Sequence, residues 1–113
     1  MFETWVSTDL SRLPVVKKMG TGFSADSGAN KIGVHVTKDG ESVELSGTVR
    51  AWIVRADGIT ITQDGSKSGG DAWVVLPADA YAAPGPIGIY IKLISGTEVA
   101  TLGGVEGNVY KAM

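Results

Sequence analysis

His35 is the one histidine of the chain, and acid–base chemistry near neutral pH would rest on it. It alternates with Ile32, Val34 and Val36, which places it on the polar side of a strand beside Lys31 and Thr37. A Ser-His-Asp arrangement needs a nucleophile on one side of that imidazole and an orienting carboxylate on the other. No GxSxG elbow supplies the serine, so a surface histidine is expected. Asp64, Ser66 and Asp71 offer oxygen ligands on a turn, as a calcium ion prefers, but lack the DxDxDG spacing and the bidentate glutamate of a calcium loop. They read as a solvated turn.

Gly20-Thr21-Gly22 has a superficial likeness to a phosphate-binding loop. That chemistry needs GxxxxGK[ST] between a strand and a helix, and neither the Gly-Lys-Ser/Thr nor the helix follows. Carboxylates for glycoside chemistry are present, yet nothing singles out a pair. Without cysteine there is no thiolate nucleophile, thiolate metal site or disulfide, and one histidine rules out a two-histidine ligand set. The expectation is no catalytic, cofactor-binding or metal-binding residue, no cofactor, and no enzyme.

The elements that position these residues are short strands. With 113 residues the chain has room for one core, and glycine at 16 residues is about twice the usual share. Ile32–Val36 alternates and meets the Asp39-Gly40 turn, after which Ser42–Leu45 returns as a second strand. Thr48–Arg55 is rich in β-formers and ends at Asp57-Gly58. Ile59–Thr62 alternates, residues 63–71 read as a flexible connection, and Ala72–Leu76 is the next strand. Ile87, Ile89, Ile91 and Leu93 share one face of a long strand. The last strand, to Tyr110, is broken at Gly103-Gly104, where a bulge or kink is expected.

This pattern predicts an all-β protein, an antiparallel, Ig-like β-sandwich of about eight short strands with one short helical turn near residues 77–83. Residues 1–30 form an N-terminal arm with edge strands, Trp5-Val6 and Val15-Val16, and residues 31–113 the sandwich, in a single domain overall. At the 77–86 corner, Tyr81 is expected to pack its ring over the core, while Pro84 and Gly85 set the entry to the next strand.

Charge narrows the partners. With 10 Lys+Arg against 12 Asp+Glu, no basic surface recommends nucleic acid. No apolar run approaches the roughly 20 residues that span a bilayer, and no leader pattern opens the chain. A soluble protein made in the cytosol is expected. Several strands are apolar on both faces, with Arg50, Trp52 and Val54 opposite Val49, Ala51 and Ile53, and Tyr90 and Ile94 opposite the isoleucine face. Three explanations stand side by side: the arm covers the outer face, the aromatics form a sugar-stacking platform, or the outer face packs on another protein. Candidate contact residues are Phe2, Trp5, Val6, Leu10, Leu13 and Val15 from the arm, with Trp52, Trp73 and Tyr90 from the sandwich.

The ordered set Ile32-Gly33-Val34-His35-Val36, Asp39-Gly40 and Leu45-Ser46-Gly47-Thr48-Val49 resembles the N-terminal domain of phage baseplate upper proteins and related tailed-phage structural proteins. The likeness continues through Ile53–Gly58 and Ala72-Trp73-Val74-Val75-Leu76-Pro77. It includes Ala80-Tyr81-Ala82-Ala83-Pro84-Gly85-Pro86 and closes at Ile91-Lys92-Leu93, Thr101-Leu102 and Val109-Tyr110. The resemblance implies a β-sandwich module that attaches receptor-binding or fibre parts to the virion, commonly as an oligomer, and it carries no catalytic residue. The function expected from it is an assembly or adaptor module of baseplate, tail-fibre or head-decoration type, made in the host bacterial cytoplasm. Other virion proteins (baseplate, fibre or capsid subunits) are its expected partners, and a homo-oligomer is its expected state. The alternative is a carbohydrate-binding sandwich of a receptor-binding protein, using Trp52, Trp73 or Tyr90 on a glycan.

Overall fold

Alternating apolar residues build two sheets whose inner faces meet. The computed structural model describes residues 2–11, 15–18, 22–23, 30–77 and 79–110. Eleven strands are present among them: β1 (Phe2–Asp9), β2 (Val15–Lys18), β3 (Gly22–Phe23), β4 (Asn30–Lys38), β5 (Glu41–Ser42), β6 (Thr48–Val54), β7 (Thr60–Asp64), β8 (Ser66–Ser68), β9 (Asp71–Val75), β10 (Gly85–Ser95) and β11 (Glu98–Tyr110). The first sheet runs β1-β4-β9-β8 with β5 on β4; the second runs β2-β11-β10-β6-β7 with β3 on β11. The all-β sandwich expected from the strand pattern is what forms.

The core is the period-2 faces brought together. Ile32, Val34 and Val36 of β4 and Ala72 and Val74 of β9 meet Val49, Ala51 and Ile53 of β6. Ile87, Ile89 and Ile91 of β10 and Leu102, Val105 and Val109 of β11 complete it. Ile53, Ile89 and Val34 have no exposed surface, so removing a methylene from any of them leaves a void rather than a gap that water can fill.

Four details differ from the sequence reading. The N-terminal strands join in parallel: β1 pairs with β4 from Phe2↔Asn30 to Asp9↔Thr37, and β2 and β3 pair with β11. Among the described residues of 77–83 there is no helix; turns are closed by the Ala80 amide on the Pro77 carbonyl and the Ala82 amide on the Asp79 carbonyl. Four alanines between Pro77 and Gly85 favour helix locally, but the segment must carry the chain from β9 in the first sheet to β10 in the second. The strand after Asp39-Gly40 is only Glu41–Ser42, after which Leu45 reaches the core with its amide on the Gly69 carbonyl.

The fourth difference is the segment read as a flexible connection. It holds the end of β7 and all of β8, and Gly65 between them carries the chain from one sheet to the other. The Gly65 amide donates to the Val49 carbonyl at 2.9 Å. A Cβ there would stand 2.3 Å from the Trp73 carbonyl oxygen, so only glycine fits the crossing.

The glycine pair in β11 behaves as expected. Ile91 pairs with Gly103 but Lys92 pairs with Thr101, so Leu102 is the extra residue of a β-bulge. The bulge lets β11 continue as one strand of 13 residues.

Candidate functional site

Sequence alternation places one group of polar and aromatic side chains on the outer face of the first sheet. The parallel pairing of β1 with β4 sets Trp5 beside Gly33, and the antiparallel pairing of β4 with β9 sets Trp73 on its other side. The Trp5 ring lies where a Cβ of residue 33 would be, 2.4 Å from Cε3 and Cζ3. An aromatic side chain thus covers strand backbone that glycine leaves bare.

The neighbouring row is Ser7, His35 and Asp71. The His35 ring stacks on Trp5 with centroids 4.4 Å apart and planes 12° apart, and Nδ1 of His35 donates to Oδ1 of Asp71 at 2.7 Å. Lys31 lies with Nζ 4.7 Å from the Trp73 ring centroid and 5.5 Å from that of Trp5. Glu3 accepts a 3.0 Å hydrogen bond from the Trp5 indole and stands 3.7 Å from Lys31. Thus His35 has an orienting carboxylate after all, and a serine occupies the next strand in register. The row lies on an exposed sheet face, with both ring and carboxylate about half exposed.

The second sheet has its own outer cluster. Trp52 pairs with Tyr90 across β6 and β10, and Lys92 places Nζ 4.8 Å from the Trp52 ring. Arg50 donates through Nε to Asp64 at 2.8 Å. One row further on, Gly88 sits between Val54 and Glu106. The Tyr90 ring leans over that glycine, its hydroxyl 2.6 Å from the position of a Cβ, and donates to Oε1 of Glu106 at 2.7 Å. The anionic acceptor, then desolvation, raises the Tyr90 pKa above its ordinary value. A cavity of about 610 Å3 opens here, lined by Val54, Arg55, Pro86, Tyr90, Glu106 and Asn108 among others.

These positions redistribute the candidate contact residues. Val6 is 3% exposed and belongs to the core, so its side chain offers nothing to a partner. It alternates with Trp5, and the period-2 rule sends the two to opposite faces of one strand. Leu10 is 47% exposed where β1 ends. Phe2 lies in β1 and Val15 in β2, while Leu13 lies outside the described residues. Trp52 and Tyr90 stand on one sheet and Trp73 on the other, so the three do not form a single stacking platform. At the corner, Tyr81 is buried at 3% exposure, and Gly85 has φ +123° with Pro84 exposed beside it.

Asp64 and Asp71, two of the possible calcium ligands, are instead engaged by Arg50 and His35 on different sheets. Among the described residues no group of three or more His, Cys, Asp or Glu side chains is placed to hold a metal ion. Residues that the sequence reading passed over are Gly33 and Gly88, on which aromatics lie, and the Arg55, Glu106 and Asn108 rim. Gly88-x-Tyr90 was visible as a same-face pair. The Trp5–Gly33 contact joins residues far apart in sequence.

The fold is therefore a two-sheet sandwich with an aromatic and charged cluster on each outer face. No family model matches the chain, and no curated protein matches it. Among solved structures it is similar to the N-terminal domain of phage TP901-1 ORF48, with a TM-score of 0.58 and 12% sequence identity over 100% of both chains. At that identity the shared property is the fold.

Proposed function

We propose that this chain is a structural module of a phage virion, a non-catalytic assembly or adaptor part in a baseplate, tail-fibre or head-decoration position. It works through contacts with other virion proteins and as a homo-oligomer. The observation that carries the reading is the fold likeness to a phage protein's N-terminal domain across the whole of both chains. The sequence resemblance to tailed-phage structural proteins points the same way.

The outer surface supports the role physically. Trp5, Trp73, Trp52 and Tyr90 are only half-buried, and charged side chains lie against them. Half-covered aromatics bordered by Lys and Glu can exchange those neighbours for a partner's surface while the sandwich stays rigid. Immunogold labelling of purified virions with an antibody to this chain tests the proposal. Label on the tail, fibre or head is expected; label absent from intact and disrupted virions alike overturns it.

A further inference from the structure

We propose that the cavity between β6, β10 and β11 is a binding site for a neutral, hydroxyl-rich ligand, a saccharide unit. Binding there does not depend on the virion role, and of Trp52, Trp73 and Tyr90 only Tyr90 lines this depression on the second sheet.

Position 88 has no side chain, which makes room for the Tyr90 ring between the cross-strand neighbours Val54 and Glu106. Tyr90 folds over the glycine to form an aromatic wall, held there by its hydroxyl on Glu106. Val54 and Pro86 add apolar surface, and Asn108 brings an amide that both donates and accepts. At about 610 Å3 the space is of the size that small-molecule sites have.

Charge determines what chemistry is wanted. The Arg55 guanidinium is held by Nη2 on Asp57 and by Nη1 on the Asp79 carbonyl at 3.4 Å. An anion would meet the Glu106 carboxylate in the same cavity, and a cation would meet Arg55. A purely apolar ligand would strip water from the Glu106 and Asn108 side chains and return no hydrogen bond. A hydroxyl group donates to Glu106 and exchanges hydrogen bonds with the Asn108 amide, and a sugar ring carries several hydroxyls with an apolar face for Tyr90.

Two-dimensional amide NMR of the intact chain, titrated separately with glucose, galactose, rhamnose, N-acetylglucosamine, acetate and inorganic phosphate, tests this. At least one of the neutral sugars is expected to shift the amides of Gly88, Glu106 and Asn108 in a saturable way. Glu106→Gln, which keeps an acceptor for Tyr90, and Asn108→Ala, which removes the amide, should each weaken that sugar about tenfold while leaving the rest of the spectrum in place. Absence of saturable shifts with all four sugars overturns the proposal. So do shifts confined to the Trp5 and Trp73 face, tighter binding of acetate or phosphate, or sugar binding unchanged in both variants.

Discussion

The indole of Trp5 rests on Gly33 so closely that no side chain at position 33 can coexist with its present place. The same indole carries the stacked ring of His35. One glycine therefore decides how these two side chains of the outer face are arranged. In Gly33→Ala the Trp5 ring must swing away, and the His35 stack goes with it. The cost is expected to be about 1 kcal/mol, because the ring end yields more readily than backbone would. Because His35 is the only histidine, its ring-proton signals report the stack without ambiguity. Loss of their upfield ring-current shift in the variant is the expected result.

Gly104 is the harder case. A Cβ there would lie 2.4 Å from the Ile89 carbonyl oxygen, and that atom belongs to the paired strand. Gly104→Ala is expected to destabilise by about 2 kcal/mol or more, since strands β10 and β11 must part locally to admit it. Urea unfolding should show a lower midpoint than in Gly40→Ala, where a Cβ meets nothing and only the positive φ is strained.

Tyr81 is expected to be a large contributor at the 77–86 corner. Its ring is buried beside Ala80 and the core, so Tyr81→Ala should cost about 3 kcal/mol through lost burial and the void it leaves. Chemical denaturation measures the difference directly. A change within error of zero would remove Tyr81 from the core.

Asp9 links the end of β1 to the β4–β5 turn. Its carboxylate accepts from the Ser11 hydroxyl and amide, from the Gly40 amide at 2.8 Å and from the Asp39 amide at 2.9 Å. Those donors, Ser11 first, hold its pKa well below the usual carboxylate range. The folded pKa lies below the unfolded value of about 3.9, so the stabilisation is complete above that pH and is lost as pH falls toward the folded value. Thermal midpoints of the wild type should drop more steeply below about pH 4 than those of Asp9→Asn, while the two run parallel near neutrality.

Tyr90 should titrate late. Ionising its phenol would place a second negative charge beside Glu106 and break the hydrogen bond that joins them. Spectrophotometric titration is expected to show one of the tyrosines ionising above the ordinary range, and Glu106→Gln should bring it down. The contribution of this pair to stability is present below the unfolded tyrosine pKa and is lost as pH rises through the folded one.

Much of the fold was legible because alternation is local. Ile32/Val34/Val36, Val49/Ala51/Ile53 and Ile87/Ile89/Ile91 each announce a strand and its inner face, and all are core. The outward direction of Trp52 and Tyr90 follows from the same count. β8 was not legible: Ser66–Ser68 has no apolar residue, and it is a strand only through its pairing with β9. The turns at 77–83 were not legible, because alanines favour helix locally while the passage from β9 to β10 is set by the two sheets that hold those strands.

The sequence by itself determined which residues turn inward, where most strands lie, and that aromatic side chains face outward. Those properties depend on neighbours two positions apart. Tertiary structure alone decided that Trp5 meets Gly33, that Asp71 reaches His35, and that Trp73 and Trp52 stand on opposite sheets. Each of these depends on hydrogen-bond register between distant segments, and the last turns on Gly65, where the chain crosses between sheets.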